Sequence, residues 1–253
     1  MTPLGAGLAL VVGFVLGLLG GGGSVLTVPI LIYALHVPVK LAIATSLCVV
    51  GLVAFIGFLS HWRQKTVAPK VAFAFGPPAV VAAYAGAKIA KHVPPTAQLV
   101  LFAVVGLAGS VLMLRGTFRK STSAVSDEYE FSADRRTLLL LALEGLGVGL
   151  LTGLIGIGGG FLIVPALVLV AKLPMRLAIG TSLLVITMNA LSGFAGNIGV
   201  VPIDWNLIVW FTAVAAVGSI IGSAISKRAP QRHLKQIFGV LLIGVSLYVL
   251  YRR

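Results

Sequence analysis

Two glycine-rich stretches inside long apolar segments carry the residues best suited to binding chemistry. The first reads LLGGGGSVLTVP from Leu18 to Pro29, and the second reads LIGIGGGFLIVP from Leu154 to Pro165. A helix that begins at such a break has free backbone N–H groups and the positive end of its dipole, which together bind anions. We therefore predict anion binding here, against the alternative of close helix packing through small residues. The candidate residues are Gly20, Gly22, Gly23, Ser24, Gly156, Gly158, Gly159 and Gly160.

Polar side chains follow both breaks. Thr45 and Ser46 come after the first break, and Thr181 and Ser182 occupy the matching positions after the second. Hydroxyls in the first turns of a helix either donate to an oxyanion or cap the helix, and both interpretations stay open. Asn189 lies two turns beyond Ser182 near the same face. It is a further candidate for anion contact, unless it bonds to a neighbouring helix.

Three charged residues complete the candidate site. Glu144 is the only acidic residue inside a predicted span. Ionisable groups at membrane depth are functional by default, so we expect Glu144 to carry a proton, unless it is hydrated or paired with a basic group. Lys40 and Arg176 follow the short second arm of each break. There they would attract anions to two vestibules or extend to lipid headgroups.

The sequence predicts neither catalysis nor a metal or cofactor site. His36, His61, His92 and His233 are scattered near span ends without the spacing of metal ligands, and we interpret them as interfacial. The single Cys48 permits no internal disulfide and matches no ligand spacing. We find no Ser/His/Asp or Cys/His arrangement, and expect the chain not to be an enzyme.

Composition places the chain in the lipid bilayer. Its 253 residues are 58% hydrophobic and 10% charged, whereas a soluble domain has about 25% charged residues. Long apolar runs separated by short polar gaps are typical of a polytopic helical membrane protein. The formal net charge of +13 then reflects basic cytoplasmic loops rather than a nucleic-acid partner.

The chain is an internal duplication with one constant offset of 136 residues. This offset aligns Pro29 with Pro165, and PVKLAIATSL (38–47) with PMRLAIGTSL (174–183). The intervening polar segment holds four of the six acidic residues. The predicted division is a first transmembrane repeat at 1–116, a polar cytoplasmic linker at 117–136 and a second transmembrane repeat at 137–253, within one membrane domain.

Each repeat contains a glycine-broken stretch followed by three uninterrupted spans. The broken stretches, 4–35 and 137–171, would each reach about 48 Å or more as one helix, against a hydrocarbon core of about 30 Å. Each must therefore tilt strongly or turn back as a hairpin. The uninterrupted spans are predicted near 41–61, 71–91 and 96–115, and near 177–198, 205–226 and 234–252.

Basic residues decide between these options. A single crossing at each break divides the 19 Lys and Arg residues into 9 and 10, whereas hairpins place 14 of them on one side. The positive-inside rule therefore favours two inverted repeats, each a glycine-broken helical hairpin plus three transmembrane helices, with both termini outside the cytoplasm. The 14 residues are Arg63, Lys65, Lys70, Arg115, Arg119, Lys120, Arg135, Arg136, Lys172, Arg176, Lys227, Arg228, Arg232 and Lys235.

The repeated motif resembles a known family. Both halves contain G-x-x-G-x-G-G, then VP, then P-x-[KR]-x-A-x-[AG]-T-S-L, and the second half adds GNIGVVPIDW at Gly196 to Trp205. This pattern is similar to that of the sulfite exporter TauE/SafE family of membrane permeases, also called the TSUP group. The resemblance implies a transporter of small sulfur-containing anions, such as sulfite and organosulfonates, in the bacterial inner membrane. The first repeat reads SHWRQKTVAP where the second reads GNIGVVPIDW, so if these loops gate the site, the two gates differ chemically.

Several alternatives stay open for the activity. Glycine-broken helices in inverted repeats favour a secondary transporter, proton-coupled if Glu144 titrates. A passive anion channel would share the basic vestibules and show no dependence on a pH gradient. The anion could also be another small anion or a carboxylate, and a membrane scaffold would show no flux. Glycine-lined faces could pack within one chain or between copies, which leaves a homo-oligomer open.

Overall fold

The computed structural model describes residues 3–118, 135–155, 160–169, 171–199 and 203–251, and all regular structure in these ranges is helical. Most of the predicted linker therefore lies outside the described residues. The predicted all-α fold class is confirmed. The helices are α1 (Pro3–Leu19), α2 (Gly22–Pro29) with a π-helical turn at Ile30–Ala34, α3 (Val39–Arg63), α4 (Pro69–Ala90), α5 (Pro95–Phe118), α6 (Arg135–Ile155), α7 (Gly160–Leu169), α8 (Met175–Asn197), α9 (Trp205–Ser226) and α10 (Gln231–Tyr251).

Six helices of the described chain are long and apolar enough to cross a membrane, namely α3, α4, α6, α8, α9 and α10. The segments Pro3–Leu19, Gly22–Ala34 and Pro95–Val111 are apolar but shorter. Large apolar side chains such as Phe73, Val81 and Val209 are well exposed on the outer helices. Such exposure suits a surface covered by lipid acyl chains. The chain is a multi-pass membrane protein.

The first glycine break is a sharp reversal between α1 and α2. Gly20 has φ of +73°, a left-handed conformation in which any other residue is strained by its Cβ atom. Its N–H still donates to the Leu16 carbonyl at 2.8 Å, which ends α1. Beyond the turn, Gly23 packs directly on α1, where an added Cβ would lie 2.5 Å from Leu16 Cβ. The apolar stretch thus folds back on itself.

The two repeats interlock through backbone contacts between helices. α1 of the first repeat packs along α9 of the second. In the equivalent contact, α6 of the second repeat packs along α4 of the first. At each glycine of these contacts an added Cβ would overlap a backbone carbonyl of the partner helix, so only glycine permits the approach. The glycines are Gly13, Gly17, Gly218 and Gly222 in the first pair, and Gly86, Gly145, Gly149 and Gly153 in the second.

α3 and α8 are the most buried of the six candidate spans and are matching helices of the two repeats. An added Cβ at Gly51 would lie 3.0 Å from Leu191, and one at Gly193 would lie 3.4 Å from Leu47. Residue numbers therefore rise in opposite directions along this contact, so the two helices run antiparallel. Matching helices α5 and α10 have the same relation, because Gly106 meets Ser246 while Gly239 meets Leu114.

Candidate functional site

The two glycine breaks meet inside the bundle. An added Cβ at Gly160, the first residue of α7, would lie 2.8 Å from Gly21 Cα and 3.0 Å from Ser24 Oγ. The N-terminal ends of the short helices α2 and α7 are therefore adjacent, and the first N–H groups of a helix have no partner within it. The predicted site residues Gly156, Gly158 and Gly159 lie outside the described residues, so this contact rests on Gly160 for the second repeat.

The predicted site residues of the first break have two structural roles: one forms the turn, and others pack against α1. Gly20 forms the turn and faces α8, since an added Cβ would lie 2.6 Å from Ser182 Oγ. Gly22 and Gly23 pack against α1 side chains and backbone. The Ser24 hydroxyl donates to the Gly21 carbonyl at 2.7 Å. Close packing and a buried helix start thus occur together at this break.

The two hydroxyl pairs lie in the second turns of α3 and α8 and do not cap them. Both helices begin after a proline, and neither has a side-chain capping bond there. Ser46 donates to the Ile43 carbonyl at 2.9 Å, and Ser182 donates to the Ile179 carbonyl at 2.8 Å. The structure therefore excludes N-terminal capping as their role, although it leaves anion contact open.

The two threonines differ between the repeats. Thr181 Oγ1 accepts a hydrogen bond from the backbone N–H of Ala68 at 2.9 Å. Thr45 is equally buried, yet its hydroxyl has no hydrogen-bond partner among the described residues. An unsatisfied buried hydroxyl costs about 1–3 kcal/mol, so such a group calls for a physical explanation.

Asn189 is the most unusual polar side chain of the interior. It is 0% exposed, and neither its Nδ2 nor its Oδ1 has a partner in the part of the chain that the structure describes. One turn earlier on α8, Ile186 approaches α7, with its Cδ1 2.6 Å from the position of a Cβ at Gly160. Asn189 therefore lies one turn deeper than the meeting point of the half-helices.

Lys40 and Arg176, near the starts of α3 and α8, donate hydrogen bonds to carbonyls at the ends of other helices. Lys40 Nζ donates to the carbonyls of Ala90 and Val93 at 2.7 and 2.9 Å, where α4 ends. Arg176 Nη2 donates to the Ala229 carbonyl at 3.3 Å, after the end of α9. Ala229 matches Val93 in the duplication, so the two cations make equivalent bonds. Cations at helix C-terminal ends are favourable because they oppose the negative end of the dipole.

Glu144 is not brought to the glycine turns. It is partly exposed on α6, and its Oε2 is buried without a partner among the described residues. It precedes Ile155, the end of α6, by eleven residues, which is about 16 Å along the helix. The carboxyl group therefore lies about three turns of α6 before the end of that helix.

His61 is a functional candidate that the sequence misplaced. Its interfacial assignment is wrong, because the side chain is buried, with 2% exposed. Nε2 donates to the Gly17 carbonyl at 3.3 Å, and Nδ1 lies 2.8 Å from Thr66 Oγ1. Gly17 lies in the last turn of α1, whose carbonyls need an outside donor. Only the tertiary contact of α1 with α3 reveals this role.

Comparison with known proteins agrees with this architecture. A family model described as sulfite exporter TauE/SafE matches residues 5–249. The chain belongs to the TauE/SafE family. It is 32% identical over 248 residues to a probable membrane transporter protein of Xylella fastidiosa (strain 9a5c), covering 95% of this chain and 92% of that protein. The probable membrane transporter protein YdhB of Bacillus subtilis is 28% identical over 238 residues, covering 91% and 96% respectively.

The similarity extends to the archaea. The probable membrane transporter protein MJ0441 of Methanocaldococcus jannaschii is 28% identical over 264 residues, covering 96% of this chain and 94% of that protein. No solved structure matches the chain significantly. The family predicted from the motifs is confirmed, and this TauE/SafE member is a membrane transporter.

Proposed function

We propose that the chain is a secondary transporter of small sulfur-containing oxyanions, such as sulfite or an organosulfonate. The observation that carries this proposal is the meeting of two half-helix starts, at Gly21 and Gly160, in the buried centre. Each start supplies backbone N–H groups and a positive dipole end. Broken helices with this arrangement hold anionic groups of substrates in other transporters.

Neutral donors surround these helix starts. The Ser24 and Ser182 hydroxyls lie at the meeting point and against Gly20, but they donate to the Gly21 and Ile179 carbonyls. The donors left for an anion are therefore the Thr45 hydroxyl and the Asn189 amide, which have no partner among the described residues. An oxyanion with three oxygens can accept from several such groups at once, which satisfies buried polar atoms at the same time. A site without formal charge binds an anion moderately, and moderate binding permits release on the other side.

Inverted repeats complete the proposal. The antiparallel contacts of α3 with α8 and of α5 with α10 support inversion, and the distribution of basic residues supports termini outside the cytoplasm. We place the chain in the inner membrane because its resemblance to the TauE/SafE family implies that location. Inversion gives two access routes of equivalent topology to one central site, as alternating access requires.

The decisive experiment measures flux in proteoliposomes with sulfite, thiosulfate and methanesulfonate. Asn189→Leu should reduce uptake of the transported anion at least tenfold, because it removes an amide donor from the site. Thr187→Val is the matched control. Thr187 lies on the same helix and its hydroxyl already donates to the Leu183 carbonyl at 2.8 Å, so uptake should stay within twofold. Equal uptake by the two variants would contradict the proposed site, and acetate uptake in place of the sulfur anions would redirect the substrate class.

Coupling to protons is a separate part of the proposal. We assign the proton to Glu144, acting through a relay, because the carboxyl group lies about three turns of α6 before the end of that helix. Anion flux through the wild type should then respond to an imposed pH gradient, whereas flux through Glu144→Gln should not. Wild-type flux indifferent to the gradient would favour the passive channel.

We assign a second role to Lys40 and Arg176. Each is a basic side chain near the start of its helix, so each can also raise the local concentration of anions at its vestibule.

A further inference from the structure

The connection between α3 and α4 is docked on the helix that carries half of the proposed site. Its residues Gln64 to Ala68 turn sharply after α3, with Thr66 N–H donating to the His61 carbonyl and Lys65 N–H to the Trp62 carbonyl. These two bonds form a Schellman motif, with Lys65 in the left-handed conformation at φ of 57°. The turn directs the segment back towards the N-terminal part of α8.

Three contacts fix this segment in place. The Thr66 carbonyl lies against Gly180, where an added Cβ would overlap it. The Ala68 N–H donates to Thr181 Oγ1. Thr66 Oγ1 lies 2.8 Å from Nδ1 of His61, whose Nε2 bonds the end of α1. The segment therefore joins α1, α3 and α8 next to the glycine turn.

The duplication shows a difference between the repeats at the docking position. Position 44 matches position 180, and it holds Ala44 where the second repeat has Gly180. The Cβ of Ala44 occupies the space that a carbonyl needs for the same approach on α3. In agreement, the Thr45 hydroxyl has no partner among the described residues, whereas Thr181 has one. One methyl group thus distinguishes the docking surface of α8 from the matching surface of α3.

We propose that residues 64–68 are a gate over the anion site and that Thr181 couples the closing of this gate to anion occupancy. The coupling rests on the proposed function, whereas the gate itself does not. A hydroxyl that accepts one hydrogen bond can still donate its own proton. Thr181 accepts from Ala68 in the closed gate, so its hydroxyl proton is free for an oxyanion, and each bond polarises and strengthens the other. A bound anion therefore holds the gate closed on this side.

Hydrogen–deuterium exchange of the Ala68 amide measures the gate directly, because that amide is the group bonded to Thr181. The full-length protein in detergent micelles would be analysed by mass spectrometry with single-residue fragmentation. Gly180→Ala should speed exchange at Ala68 about tenfold, which corresponds to about 1.4 kcal/mol of lost closing free energy. Ala44→Gly is the matched control, and it should leave exchange at Ala68 unchanged. Exchange that is equal in both variants would overturn the gate.

The coupling is tested with methanesulfonate as the probe. Adding it should slow exchange at Ala68 at least threefold in the wild type and in Thr181→Ser, which keeps the hydroxyl, but not in Thr181→Val. If Gly180→Ala fails to fold, Thr66→Val is a second variant that should open the gate. An anion effect that persists in Thr181→Val would overturn the coupling. A Gly180→Ala effect in a protein that transports none of the sulfur anions would leave the gate standing and refute the proposed function alone.

Discussion

Replacing Asn189 should change stability and anion binding in opposite directions. The amide is fully buried, and both of its polar atoms lack partners in the described structure. An unsatisfied buried polar group costs about 1–3 kcal/mol, whereas an apolar group of the same shape carries no such cost. Leucine has nearly the shape of asparagine, so Asn189→Leu should stabilise the empty protein by about 2 kcal/mol. For a chain of about this size, that raises the unfolding midpoint by about 4–8 °C.

Thermal unfolding in detergent, with and without methanesulfonate, separates the two effects. An anion that binds only the folded state at 100 times its Kd adds about 2.7 kcal/mol to the wild type. Asn189→Leu should lose most of this anion-dependent stabilisation. Its unfolding midpoint without the anion should nevertheless be higher than that of the wild type. We expect Asn189→Leu to be more stable than the wild type without the anion and to gain less from it, because the proposed site would retain the amide for binding at the expense of stability.

Thr187→Val is the control here as well, since its hydroxyl is satisfied within α8. It should keep the full anion-dependent rise in midpoint. The reasoning is refuted if Asn189→Leu unfolds at a lower temperature than the wild type and still gains the same stabilisation from methanesulfonate. Asn189 would then be a packing residue of α8.

Three further variants test other parts of the site. Gly160→Ala should abolish flux per folded protein, because its Cβ would crowd Gly21 and Ser24 and push the start of α7 away from the start of α2; undiminished flux would contradict the shared site. Lys40→Gln should raise KM for the anion at low salt and match the wild type near 1 M salt, where the screening length falls to about 3 Å; a KM difference that is independent of salt would exclude the vestibule role. Glu144→Gln should transport with a pH profile flatter than that of the wild type, and an unchanged profile would remove its proton role.

Helix positions were predictable because the sequence pattern is local. The span predicted near 71–91 is α4 at Pro69–Ala90, and the span near 205–226 is α9 at Trp205–Ser226. Apolar length and flanking prolines set these limits without reference to the rest of the fold. The reversal at Gly20 follows equally from sequence, since an unbroken helix would be too long for the bilayer and only glycine suits the turn.

Contacts between repeats were not predictable from the same patterns. Nothing in the local sequence around Gly13 or Gly17 indicates that α9 rather than α3 packs along α1. The burial of His61 depends on that arrangement, because its acceptor is the Gly17 carbonyl of another helix. The missing partners of Asn189 are likewise a tertiary property. A polar residue within a span is visible in the sequence, but whether its neighbours satisfy it is decided by packing.

The positions where the two repeats differ carry most of the functional argument. An exactly symmetric inverted duplication would open its two access routes with equal free energy, and nothing but the gradients across the membrane would distinguish them. Each break in the symmetry removes that equality, and a difference of only about 1.4 kcal/mol between the two arrangements already gives a tenfold bias in their populations. The matched positions are Asn189 and Val53, Gly180 and Ala44, His61 and Asn197, and Glu144 and Leu8. Since the first three pairs lie on α3 and α8, at the centre of the bundle, we infer that this helix pair sets the preferred side of access, while the glycine turns that both repeats share bind the anion.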